Sequence, residues 1–288
     1  MRLAYARLHI LLARKAPLGL VIRHGTAKSV CTLLWDRKKD TFTLGQWMRG
    51  RIDIETCDLS PDGEHFLYEA SKYVSRTLEI RGWTAVSRTP YLKAVAYYPR
   101  RWAGWFVNNR DYLAPGGSDP EDRESPEVRL AESGCAPPYF QYATRLERSG
   151  WAMEDLRGME FVRPAGSGWE LRHGPRRGYR MNSGDLTVDT HGWDWADVDG
   201  KRLVWTVKGC LWAGLVRKDG IHQSRMLHDF NGMKFEALAA PYEGGQKGRV
   251  MLMPTSPPVN TVARKAPPRG PVRKKPDRSR VRPEEDDG

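Results

Sequence analysis

Little in this chain can crosslink or chelate. Its four cysteines, Cys31, Cys57, Cys135 and Cys210, are dispersed, with no Cys-x-x-Cys pair and no paired histidine spacing. That pattern argues against a zinc site and a disulfide framework, so no metal or cofactor is expected and a reducing cytoplasm is the expected compartment. Long apolar runs are missing too. Nothing approaches the roughly 18 residues of a membrane span, which removes a membrane partner from the reading. Met1 to Pro17 is basic and partly apolar, but Arg7 and His9 interrupt it and no small-residue cleavage site follows. A secretory signal is therefore not expected. Arg-rich and free of acids, the stretch also has the composition of a transit peptide, but a short leading helix or a misplaced start is the preferred reading.

Acidic residues are scarce at the ends. Residues 1–23 carry five Arg or Lys and no acid, and residues 264–288 carry nine basic and five acidic residues, which leaves only about +3 of the formal +12 for the middle. From Pro254 onward Pro, Arg and Lys dominate and apolar side chains are almost gone, so burial cannot offset the entropy of ordering. A disordered basic tail with polyproline character is expected over 254–288. Its cations, Arg264, Lys265, Arg269, Arg273, Lys274, Lys275, Arg278, Arg280 and Arg282, suit non-specific attraction of nucleic acid or another polyanion through counterion release. The plainer reading is a solvated charge run.

Between these ends lie eleven Trp and many short runs of period-two alternation. Ser29 to Asp36, Thr41 to Trp47, His65 to Tyr68, Gly82 to Ser87 and Leu203 to Val207 each read as strands, separated by charged or Gly-containing turns. Asp62-Gly63 and Asp199-Gly200 stand before apolar alternation, where Gly accepts the positive φ of a tight turn. Three landmarks recur in order: Arg23-His24-Gly25 with Arg172-His173-Gly174, Asp62-Gly63 with Asp199-Gly200, and Leu92 to Ala96 with Phe235 to Ala239. The repetition predicts two related units, 19–113 and 168–253. Ahead of them stands the basic segment 1–18. Between them lies a Pro- and Gly-rich connector, 114–167, with a short helix near Glu127 to Glu132.

The run Leu59-Ser60-Pro61-Asp62-Gly63 with the strand to Tyr68, and its second copy at Asp197-Val198-Asp199-Gly200, resemble the hairpins of β-propeller, WD40-like repeat proteins. The stretches Cys31 to Trp47 and Leu227-His228-Asp229-Phe230-Asn231-Gly232 also resemble an uncharacterised family of bacterial proteins, which implies no activity. The expected fold is all-β and β-propeller-like, two units of short antiparallel strands making about four to five blades. A competing resemblance starts from Val21-Ile22-Arg23-His24-Gly25-Thr26, which is similar to the opening strand of histidine phosphatases, with Val188-Asp189-Thr190-His191-Gly192 as a late strand end. It implies His24 as nucleophile, Arg23 as phosphate clamp and His191 as the second histidine of the pocket. Against it, position 93 is Lys where that family carries Arg, and Arg-His-Gly occurs twice, as a structural turn would.

Other sites follow from single segments. Asp194, Asp197, Asp199 and Gly200 invite a calcium-loop reading, but the spacing puts Trp195 at the first ligand position and Thr206 at the twelfth. Trp193, Trp195, His228, Asp229 and Asn231 are the candidate binding residues. Asn231-Gly232 is also a strong hairpin-turn signal, and the tryptophans are equally suited to packing between sheets. The expected function is a non-enzymatic interaction or scaffold module with a protein partner and a polyanion-binding tail.

Overall fold

The computed structural model describes residues 5–25, 29–74, 79–99, 104–114, 122–131 and 138–242. The tail 254–288 and the expected last strand at Arg249 to Met253 lie outside the described residues. Five sheets follow one another along the chain. The first is β1 (Arg7–Leu12), β2 (Leu18–His24), β3 (Ser29–Asp36) and β4 (Thr41–Arg49); the second is β5 (Arg51–Leu59), β6 (His65–Val74), β7 (Glu79–Arg88) and β8 (Ala94–Tyr98). Both are antiparallel meanders in chain order. A small third sheet joins β9 (Trp105–Phe106), β10 (Asp111–Leu113) and β11 (Arg129–Leu130). The helix α1 (Pro138–Arg148) precedes the fourth sheet, made of β12 (Ala152–Asp155), β13 (Glu160–Gly166), β14 (Trp169–Gly174), β15 (Gly178–Ser183) and β16 (Leu186–Val188). The fifth is β17 (Trp193–Asp199), β18 (Arg202–Val207), β19 (Cys210–Arg217) and β20 (Gly220–Asp229), again in chain order.

The all-β class expected from the alternation is therefore observed. Among the described residues one helix forms, and every strand pairing is antiparallel except that of β10 with β11. This is not the helix-flanked parallel sheet that the histidine phosphatase resemblance requires. The same region also corrects two local expectations. Met1 to Pro17 holds no leading helix among its described residues but the strand β1, whose Leu8 and Ile10 point inward while Arg7 and His9 alternate with them. Residues 129–130 are strand, and the connector's helix lies further on, at α1.

The two Asp-Gly turns do occupy equivalent places, each joining the first and second strands of its sheet, β5 to β6 and β17 to β18. Gly63 and Gly200 have φ of +80° and +61°, the left-handed region that glycine adopts without steric cost. Around Gly63 the turn is closed by side chains: the Ser60 hydroxyl donates to Asp62 and accepts from the His65 amide. The third landmark does not match. Leu92 to Ala96 leads into β8, whereas Phe235 to Ala239 forms no strand.

Apolar clusters weld each sheet to its neighbour. Leu20, Ile22 and Val30 of the first sheet meet Ile52, Phe66 and Tyr68 of the second. Leu67, Val86 and Tyr98 meet Phe106 and Tyr112 of the third. Phe161, Trp169 and Leu171 of the fourth sheet meet Ala196, Leu203 and Trp205 of the fifth, with Tyr142 of α1 alongside. Finally Ile10, Trp35 and Phe42 of the first sheet pack on Trp195, Leu211 and Phe230. Each fully buried large side chain contributes about 1.5–3 kcal/mol. The first and last sheets are thus in contact, and α1 spans from the second and third to the fourth. Arg145 donates to the carbonyls of Ile54 and Cys57, Arg148 donates to that of Phe106, and the Tyr142 hydroxyl is hydrogen-bonded to His173. The helix stops at Gly150 (φ +93°), whose amide donates to the Glu147 carbonyl while that of Trp151 reaches back to Leu146.

Candidate functional site

Four sheets and the helix converge on a buried polar cavity. His9 comes from β1, Asp58 from β5, Tyr142 and Arg145 from α1, Tyr179 from β15 and Asp197 from β17. The cavity volume is about 30 Å³, room for about one or two waters. Its acids are held by neighbouring sheets. Asp58 accepts from the Phe106 amide at 2.8 Å and faces Arg14 at 3.4 Å, tying the second sheet to the third. Asp197 accepts from Arg163 at 2.5 Å, tying the fifth to the fourth.

Removal from water shifts these groups. Burial raises the pKa of Asp58 against the opposing charge of Arg14, and pushes Asp197 up to about 6 although Arg163 lies beside it. His173 is pushed down to about 4 by burial and by Arg145. His9 is lowered well below the ordinary imidazole range, first by burial and then by the same arginine. At neutral pH the cavity therefore holds the neutral imidazole of His9 beside the acids Asp58 and Asp197, whose bonds join sheets.

Of the residues expected to form a phosphatase pocket, Arg23 is committed to the closing segment of the described chain. Arg23 is buried and its guanidinium is occupied: Nε donates to the Phe230 carbonyl at 2.7 Å, Nη2 to those of Asn231 and Met233, and the plane lies over Trp47. His24 closes β2 with its Nε2 buried and without a hydrogen bond, its pKa lowered by burial and then by Arg51 and Arg7. His191 sits exposed in the turn before β17, its amide donating to Asp189. Neither histidine lines the central cavity.

The expected binding residues are largely packed. Trp195 is buried beside the central cavity, and Trp193 stacks on Trp205 with ring centroids 5.4 Å apart. His228 lies between Phe42 and Phe230, its pKa lowered by burial. Asp229 accepts the amide and side-chain N–H of Asn231, whose oxygen in turn accepts from the Ala6 amide. These last residues pin the start of the chain to its fifth sheet. Asp194, Asp197 and Asp199 each face a different arginine, Arg7, Arg163 and Arg37, and among the described residues no three His, Cys, Asp or Glu side chains are placed to hold a metal ion.

Sequence reading missed the cavity's His9, Asp58, Tyr142, Arg145 and Tyr179, because they are scattered over 170 positions and joined only by the folding of the sheets. It also missed a second, larger recess on the outer side of the Ser60 to Gly63 turn, where His65, Arg88, Arg110 and Glu127 meet. Comparison with protein-family models and with curated proteins finds no match.

Proposed function

We propose that the chain is a non-enzymatic interaction module, its five sheets set in a propeller-like succession around α1, with two related units and a basic tail that adds affinity for nucleic acid or another polyanion. One observation carries this reading: the buried acids Asp58 and Asp197, and with them Arg23, Arg145 and Arg163, are engaged in bonds between sheets or to the closing segment at 230–233, and the central cavity between them is too small for a substrate. A protein partner would meet the loops and the outer recess. No helix of the described residues is long and apolar enough to cross a membrane.

The tail is tested by measuring duplex DNA binding against salt, for the full chain beside a chain ending at Pro254. Truncation is expected to weaken binding and flatten the slope of log affinity against log salt. Equal affinity and slope in the two chains would remove the tail from the function. The absence of phosphatase chemistry is tested with an aryl phosphate. Hydrolysis by the wild type that His24→Ala abolishes would overturn the non-enzymatic reading.

A further inference from the structure

The outer recess has a volume of about 520 Å³, within the roughly 300–1,000 Å³ of small-ligand sites. It lies where the second sheet meets the third. His65 opens β6 and stands directly across from Arg88 of β7 in the strand register. Arg88 clamps Glu127 through two bonds, Nε to Oε2 at 2.6 Å and Nη2 to Oε1 at 2.5 Å, so this carboxylate is already neutralised from one side. His65 is only 8% exposed, yet neither ring nitrogen has a hydrogen bond, the Glu127 oxygen standing 3.7 Å from Nε2. Both nitrogens are closed off from solvent, so Glu127 is the charge that the imidazole faces, and the pair forms the floor of the recess.

The exposed groups specify what a ligand of the recess would carry. The lining also includes the carboxylates of Asp62 and Glu64 and the exposed guanidinium of Arg110; the Glu64 and Arg110 side chains make no hydrogen bond among the described residues. A plain anion would meet two carboxylates, and a plain cation would meet the arginine. A ligand bearing both charges satisfies both exposed groups: an ammonium against Glu64, with Asp62 of the turn beside it, and a carboxylate held by the planar fork of Arg110.

We infer that this recess binds a small zwitterion, a free amino acid or a short peptide with both ends uncapped. The inference rests on the reading of the chain as a binding module and is independent of the basic tail. The experiment is calorimetric titration of the full chain with L-alanine, L-alanyl-L-alanine, the N-acetylated dipeptide and the dipeptide amide. At least one of the two zwitterions is expected to bind, and capping either end of the dipeptide to weaken it about tenfold or more. Arg110→Ala should erase the difference between dipeptide and dipeptide amide, and Glu64→Gln the difference between dipeptide and N-acetyl dipeptide. Both positions are exposed, so unchanged melting temperatures confirm that the fold survives. Whichever zwitterion binds more tightly identifies the source.

No heat with either zwitterion, equal affinity for capped and uncapped forms, or undiminished binding by Arg110→Ala would overturn the inference. If binding fails while the tail still binds DNA, the recess alone is refuted and the module reading stands. If the dipeptide binds and is recovered cleaved, the recess stands and the non-enzymatic reading falls.

Discussion

Arg23 shows how one side chain can look catalytic in sequence and be structural in the fold. Its guanidinium serves three carbonyls of the 230–233 segment while lying over Trp47. Hydrogen bonds from a charged donor contribute about 1.5–3 kcal/mol, and losing the donor also strands buried carbonyls. Arg23→Ala is expected to cost about 3 kcal/mol in urea unfolding, with Arg23→Lys recovering only part of it because an ammonium cannot fan out to three acceptors. A substitution costing under 0.5 kcal/mol would show that the segment is held by other means. Asp197, which lines the cavity, and His173, hydrogen-bonded to the Tyr142 that lines it, pull stability in opposite directions. The Asp197 carboxyl, raised from 3.8 to about 6, keeps a proton that the unfolded chain has released, so its contribution falls as pH rises from about 4 to 6. His173, lowered from 6.5 to about 4, lacks a proton that the unfolded chain binds, so its contribution rises over pH 4 to 6.5. The wild type should be nearly flat between pH 4 and 6 as far as these two groups decide it. In Asp197→Asn only the histidine component remains, and melting temperature should climb with pH across that window. A variant whose profile parallels the wild type would show that Asp197 titrates normally.

Elements were legible where local chemistry agreed with tertiary packing. The hairpins β5–β6 and β17–β18 could be read because Asp-Gly and period-two alternation state the same thing twice. α1 could not, since the face it buries carries the polar Gln141, Tyr142 and Arg145, the last two bonded to other sheets, and the helical period in apolar residues is masked. β1 was obscured in the same way by Arg7 and His9, although Leu8 and Ile10 alternate correctly. Contacts between elements leave even less trace. Gly45 of β4 lies so close to the second sheet that a Cβ there would stand 2.0 Å from the Pro90 carbonyl oxygen, which Thr32 already binds. Nothing beside Gly45 in the sequence announces this. Gly45→Ala must push the first and second sheets apart and is expected to cost about 3 kcal/mol, a drop of several degrees in melting temperature. If the variant melts with the wild type, the two sheets are not in the contact described.

For the whole molecule, the junction of first and last sheets is electrostatic as well as apolar. Asp40, in the turn between β3 and β4, receives Arg202 and Arg225 of the fifth sheet and the Trp35 indole of its own sheet, while Arg37 reaches Asp199. Burial works to raise the Asp40 pKa, and the hydrogen bonds and charges of the two arginines outweigh it, holding the carboxyl below 3.8. A depressed carboxyl contributes stability that is present above the unfolded value and lost as pH falls through the folded one. Asp40→Asn keeps the shape and a side chain tolerant of the positive φ found there (53°), so it isolates the charge. Unfolding free energy at pH 7 should fall by about 1.5–3 kcal/mol, and the variant should lose less than the wild type on acidification below 3.8. Equal acid profiles would mean that solvent screens this junction.

The meeting of these two sheets also has a consequence in time. Arg23 and the carbonyl it binds are 207 residues apart, and Trp35 and Phe42 are covered by side chains made equally late. A ribosome adding about 5–20 residues per second needs about 10 to 40 s to supply them. Throughout that interval the newborn amino-terminal meander carries an aromatic face still open to water, and it is there that a chaperone would be expected to bind.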